Sequence, residues 1–142
     1  MEKKRTILVA EDDGDDAFIF QNACTFLRLE HKVLFVKDGQ EAIDYLKGKP
    51  PYADRKSHPS PDLLVVDLKM PRVDGFDLLK WVRATPELKE LPVIVFSGSE
   101  YGGDKERATK LGATGYFVKP GWGDSMLEIV RQISSTWLQA AK

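Results

Sequence analysis

The chain has 142 residues, which is the size of about one domain and enough to bury a core of ordinary size. Its 21 basic and 22 acidic residues leave a net charge of −1, so the overall balance does not indicate nucleic acid or an acidic membrane surface as a partner. Because the single Cys24 excludes an internal disulfide, and the chain has neither an apolar run of ~20 residues nor a secretory signal, we expect a soluble cytoplasmic protein.

Five short apolar segments predict five β-strands. They are 6–10 (TILVA), 32–36 (KVLFV), 63–66 (LLVV), 92–96 (PVIVF) and 115–118 (GYFV). Each is mostly continuous in apolar character and rich in β-branched or aromatic residues, which is typical of strands covered on both faces. We therefore expect a parallel sheet between two layers of helices.

Helix-like segments separate these strands. The predicted helix starts, each with an acidic residue three positions later, are Asp38, Asp74 and Ser125. The apolar stripe of the last helix consists of Met126, Val130, Ile133 and Trp137. Gly48 and Gly112 are candidate helix ends. Since no repeat or interdomain linker is present, the alternation predicts a (βα)5 doubly wound α/β fold in a single domain over residues 1–142.

The connection at 48–61 (GKPPYADRKSHPSP) is long and contains four prolines. Its composition favours a solvated surface loop, although loops of this length are uncommon enough that a partner contact stays open as a second interpretation.

Polar or ionisable residues follow the predicted strands. They are Glu11, Asp12 and Asp13 after the first strand, Asp67 after the third, Ser97 after the fourth and Lys119 after the fifth. Each has an ordinary structural explanation by itself, as a helix cap, a turn former or a solvated charge. In a doubly wound sheet, however, the carboxyl ends of the strands border one crevice. The occurrence of these residues after four strands therefore predicts that they share one site.

Carboxylates that converge in a crevice repel one another, so the predicted site needs a cation. Carboxylate oxygens without His or Cys nearby favour Mg²⁺. Lys119 and Ser97 would supply an ammonium and a hydroxyl, which suit phosphoryl oxygens. Asp67 can then be a nucleophile that forms an acyl phosphate, which explains why an apolar strand ends in a charge.

The ordered motifs ILVAEDD, DLLVVDLKMPRVDG, VIVFSGS and GYFVKP resemble the receiver domain of response regulators in two-component signalling. The resemblance covers nearly the whole chain and implies a flavodoxin-like sheet with strand order 2-1-3-4-5. It implies that Asp67 is the phospho-acceptor and that Mg²⁺ is bound by Glu11, Asp12, Asp67 and the backbone carbonyl of Lys69. It further implies that Ser97 and Lys119 bind the phosphoryl oxygens, that Tyr116 is the switch aromatic, and that Lys119–Pro120 is a cis peptide.

The implied protein is a stand-alone, chemotaxis-type receiver without an output domain. Its phosphoryl donor would be a histidine kinase or phosphotransfer protein. Its output would pass to a protein target or a second copy through the fourth helix, fifth strand and fifth helix, without nucleic acid or membrane. The acidic pair is Glu-Asp where many relatives have Asp-Asp. The insertion at 48–61 resembles receivers associated with phytochrome-type kinases.

Three alternative functions fit the sequence less well. A haloacid-dehalogenase type phosphatase needs a second acid two residues after its nucleophile, where this chain has Lys69, and the length leaves no room for its cap domain. A degenerate receiver that is not phosphorylated is disfavoured because Asp67, Asp12, Ser97 and Lys119 are all present. A nucleotide-binding module would need a glycine-rich phosphate loop, and neither GxGxxG nor GxxxxGK[ST] occurs.

Overall fold

The sheet of this computed structural model has five parallel strands, and the structure describes residues 5–120 and 123–138. The strands are β1 Thr6–Ala10, β2 Lys32–Val36, β3 Leu63–Val66, β4 Val93–Ser97 and β5 Gly115–Val118. They are hydrogen-bonded in the order β2-β1-β3-β4-β5, which confirms the predicted doubly wound, flavodoxin-like arrangement. The strand order reverses between β1 and β3, so a crevice opens at the carboxyl ends of these two strands.

Five α-helices connect the strands. They are α1 Gly14–Phe26, α2 Gly39–Lys47, α3 Gly75–Ala84, α4 Gly102–Lys110 and α5 Gly123–Ile133, with a π-helical turn Ser134–Leu138 after α5. Asp38 and Asp74 cap α2 and α3 as predicted, because each carboxylate accepts a backbone N–H from the first helical turn. α5 begins at Gly123, ahead of the predicted start at Ser125. Among the described helices, none has the length and apolar character needed to cross a membrane.

Successive side chains of each strand point to opposite faces of the sheet, so the apolar core has two layers. One face packs against α2, α3 and α4 through Leu8, Leu64, Val66, Val93 and Val95. The other face packs against α1 and α5 through Ile7, Val9, Leu63, Val65 and Ile94. Because β1, β3 and β4 are buried over their whole lengths, and each such side chain contributes roughly 1.5–3 kcal/mol, the ends of these strands are firmly positioned.

The edge strands β2 and β5 differ from the three central ones. Most of their residues are only half-buried, and Lys32 and Val118 are exposed. The prediction that all five strands are covered on both faces is therefore wrong for these two. An edge strand has a neighbour on one side only, and a continuous apolar pattern does not distinguish it from a central strand.

The loop at 48–61 is fastened to the end of α2. The Arg55 guanidinium donates hydrogen bonds to the carbonyl oxygens of Tyr45 and Leu46 at 2.9 and 3.0 Å. The Tyr45 hydroxyl donates to the carbonyl oxygen of Pro59 at 2.9 Å. The last carbonyls of a helix have no intrahelical partner, so Arg55 satisfies two of them and places a cation at the negative end of α2. The segment is a surface loop as expected, because Ala53, Asp54, Lys56 and Ser57 are exposed, but Arg55 ties it to the end of α2.

We expect Arg55→Ala to lower the free energy of unfolding by about 2 kcal/mol, because it removes charge-assisted hydrogen bonds to the last carbonyls of α2 and to the loop. Chemical denaturation measures the change. Lys56→Ala is the matched control, since it removes an exposed neighbouring cation and keeps the backbone N–H that bonds to Asp54. Equal stabilities of the two variants would contradict the role of Arg55.

Candidate functional site

Four polar side chains from different strand ends lie along the carboxyl edge of the sheet. Glu11 follows β1, Asp67 follows β3, Ser97 ends β4 and Lys119 follows β5. Glu11, Asp67 and Ser97 are buried, with exposed fractions of 7%, 8% and 1%. Backbone hydrogen bonds hold these ends in register, from Asp67 N–H to the Ala10 carbonyl at 3.1 Å and from Lys119 N–H to the Ser97 carbonyl at 2.8 Å. The predicted gathering at this edge is thus observed.

Three carboxylates form an acidic group at this edge. Glu11, Asp12 and Asp67 each offer one oxygen, and these oxygens all lie within 4.8 Å of one another. Within the described part of the chain this group contains no nitrogen or sulfur donor, so its hard oxygen ligands fit Mg²⁺. Lys69 lies on the exposed rim, and its N–H donates to Asp67 Oδ1 at 3.4 Å. A metal contact by its carbonyl oxygen stays a prediction.

The Lys119 ammonium lies among carboxylates. Its Nζ is 2.6 Å from Glu11 Oε1, 2.8 Å from Asp16 Oδ2 and 2.9 Å from Asp67 Oδ2. The cis bond expected at Lys119–Pro120 is not found, since the one cis peptide among residues 5–120 and 123–138 is Pro50–Pro51. Sequence reasoning missed Asp16. The available signal was weak: Asp16 lies in the first turn of α1, close after the acidic residues 11–13, but only the fold brings it to Lys119.

Burial and pairing shift the acid–base behaviour of this cluster. The pKa of Glu11 is raised to about 7, chiefly by burial and also by the nearby Asp67 carboxylate, against the opposing effect of Lys119. Burial lowers the pKa of Lys119, but hydrogen bonds to Asp16, Glu11 and Asp67 outweigh it and hold that pKa above its usual range. The ammonium therefore stays charged, and it compensates only part of the negative charge around it.

Ser99 connects the site to α4 and β5. Its N–H donates to Ser97 Oγ at 3.2 Å, and its own Oγ donates to Asp104 Oδ2 in α4 at 2.6 Å. The Tyr116 hydroxyl donates to the Ser99 carbonyl oxygen at 3.1 Å. Tyr116 is half-buried, at the margin of the core layer that contains Ala108. A single loop residue thus links Ser97, Tyr116 and the start of α4.

Comparisons with known proteins agree with this fold and site. The family described as the response regulator receiver domain matches residues 7–131. The chain belongs to the response regulator receiver domain family, whose members are signalling proteins of two-component systems. This confirms the resemblance stated from the sequence.

Several relatives can be named. Response regulator Rcp1 of Synechocystis sp. is 27% identical over 135 residues, which cover 95% of this chain and 90% of that protein. The crystal structure of the phosphorylated cyanobacterial phytochrome response regulator RcpA has a TM-score of 0.89 and 31% identity, covering 99% of this chain and 98% of that chain. The structure of response regulator RPA3017 in red light signaling of R. palustris has a TM-score of 0.90 and 32% identity, with 97% and 96% coverage.

We expect saturating Mg²⁺ to raise the free energy of unfolding by about 1–3 kcal/mol, because a ligand that binds only the folded state stabilises it. Asp12→Asn should lose most of this gain, since it removes one of the three carboxylates. Asp15→Asn is the control, because it removes the same charge from an exposed position in the first turn of α1. Thermal unfolding with and without Mg²⁺ measures the gain, and an undiminished gain in Asp12→Asn would exclude Asp12 from the metal site.

Proposed function

We propose that Asp67 accepts a phosphoryl group from the phosphohistidine of a histidine kinase or phosphotransfer protein, and that the chain signals by changing its protein contacts. The observation that carries the proposal is the position of the Asp67 carboxylate. It shares an acidic group with Glu11 and Asp12 and lies 2.9 Å from the Lys119 ammonium. Membership of the receiver family supports the same function.

In the proposed transfer, an Asp67 oxygen forms a bond to phosphorus while the bond from phosphorus to the donor's imidazole nitrogen breaks. The imidazole keeps the bonding electron pair and takes up a proton, and Asp67 becomes an acyl phosphate. The Lys119 ammonium and the Ser97 hydroxyl donate hydrogen bonds to the phosphoryl oxygens. Mg²⁺, held by Glu11, Asp12, Asp67 and the Lys69 carbonyl oxygen, supplies charge neutralisation when bound.

The similarity to RcpA, which is named as a phytochrome response regulator, supports a phytochrome-type histidine kinase as the donor. In this proposal the transfer takes place in the cytoplasm. The phosphatase alternative is not favoured, because it requires an acidic residue where this chain has Lys69 on the rim of the site. In this proposal the protein is a phospho-acceptor that takes part in its own phosphorylation and dephosphorylation. It is not an enzyme with a separate substrate.

The proposed output surface consists of α4, β5 and α5. When phosphorylation draws Ser97 toward the phosphoryl group, the N–H of Ser99 loses its acceptor, and the loop that holds Tyr116 and Asp104 rearranges. Within the described residues Ala108 is the one buried residue of α4, so this helix is weakly held. A protein target or a second copy of the chain then binds the remodelled surface.

We expect acetyl phosphate with Mg²⁺ to add one phosphate to the wild type and none to Asp67→Asn, because the amide is not a nucleophile of this kind. Intact mass measures the adduct. EDTA should suppress the reaction, since uncompensated carboxylates repel the incoming phosphoryl group. Asp77→Asn is the control for loss of an exposed carboxylate. An adduct of equal yield on Asp67→Asn would overturn the proposed function.

We expect amide hydrogen exchange in residues 99–112 to change on phosphorylation, because Ser99 and α4 depend on the hydrogen bond to Ser97. Ser99→Ala removes the hydroxyl that bonds to Asp104 and should raise exchange in α4 before phosphorylation. The segment at 48–61 serves as the internal reference. A change confined to that segment would mean that the switch lies elsewhere.

A further inference from the structure

The Lys119 ammonium has three N–H donors, and three carboxylates surround it. Two of them, Glu11 at 2.6 Å and Asp67 at 2.9 Å, belong to the acidic group that fits Mg²⁺. The third, Asp16 at 2.8 Å, does not belong to that group among the residues that the structure describes. A metal ion would therefore share two of the carboxylates that Lys119 contacts, Glu11 and Asp67, but not the third, Asp16.

This division matters when a cation binds the acidic group. A metal ion bound by Glu11 competes with the ammonium for the charge of this carboxylate, so the contact between Lys119 and Glu11 weakens. Asp16 is free of that competition. Its position is fixed locally, because its backbone N–H donates to the Asp13 carboxylate that caps α1, at 3.2 Å. Its side chain is 35% exposed, so it reaches Lys119 from the outer side of the cluster.

We propose that Asp16 is a positioning residue for phosphorylation: it keeps the Lys119 ammonium beside Asp67 when a metal ion weakens the contact between Lys119 and Glu11. An N–H of the ammonium can then donate to a phosphoryl oxygen without a search by the long lysine side chain. This inference rests on the proposed function. Asp16 does not touch the reacting atoms and acts through Lys119 alone.

A plainer role for Asp16 is the favourable interaction of any carboxylate with the start of a helix. Asp15 offers a direct comparison, because it lies in the same first turn of α1 and carries the same charge. Asp15 is exposed, whereas the contact to Lys119 is made by Asp16. Asp15→Asn therefore matches Asp16→Asn in net charge and in helix position, and differs in the contact to Lys119.

Two measurements on the full chain test the proposal. Calorimetric titration with Mg²⁺ alone gives the dissociation constant, and intact mass gives the initial rate of phosphorylation by acetyl phosphate at saturating Mg²⁺. We expect Asp16→Asn to weaken Mg²⁺ binding and to slow phosphorylation, each by about tenfold, as is usual for residues that orient a metal or phosphate site. Asp15→Asn should change either quantity by less than about twofold.

Asp16→Glu keeps a carboxylate that can reach Lys119 and should recover most of the lost rate. Equal Mg²⁺ dissociation constants, or equal rates, for Asp16→Asn and Asp15→Asn would overturn the role of Asp16. A wild type that takes up no phosphate would instead overturn the proposed function, and this role with it. If the wild type is phosphorylated normally and the two Asn variants behave alike, only the role of Asp16 is overturned.

Discussion

Charge compensation by Lys119 constrains the relative positions of three strand ends. Leaving one buried charge without its partner costs roughly 3–5 kcal/mol, so the carboxylates of Glu11 and Asp67 depend on the ammonium that lies beside both. These three residues follow β1, β3 and β5; β1 and β3 are neighbours in the sheet, whereas β4 separates β3 from β5. The charges are therefore compensated only when the ends of these three strands lie at one edge, so this ion cluster favours the native placement of β1, β3 and β5 over other pairings of the same apolar segments.

Lys119 compensates only part of the negative charge, so the site responds to an added cation. One ammonium cannot neutralise Glu11, Asp12 and Asp67 together with Asp16, and the raised pKa of Glu11 reflects the cost of burying its charge. The repulsion among these carboxylates decreases when a cation, or a phosphoryl group with its counterion, enters the site. The protein thus retains an unfavourable charge distribution inside a firmly packed frame, which is the arrangement expected where function takes precedence over stability.

The sequence predicts those features that depend on local pattern. Continuous apolar runs predict the strands, and polar residues directly after them predict Glu11, Asp67, Ser97 and Lys119 at one edge. Other features depend on contacts between distant segments. Asp16 is recognisable only once α1 is placed next to Lys119, which is 103 residues away. Arg55 looks like any loop cation until the loop folds back onto α2, and the edge positions of β2 and β5 follow from strand order, which apolar character does not encode.

The helices α2 and α4 pack on the same face of the sheet but are held by interactions of different strength. In the proposed function this difference decides which helix moves. α2 is capped by Asp38 and fastened at its other end by Arg55. α4 has Ala108 as its single buried residue within the described chain, and the Arg107 guanidinium lies 3.9 Å from the centre of the Phe76 ring. An exposed cation–π contact is worth only about 0.5–1 kcal/mol and is easily exchanged. In the proposed switch, we therefore expect a displacement of Ser97 to be absorbed by α4, where it costs least, and to leave α2 in place.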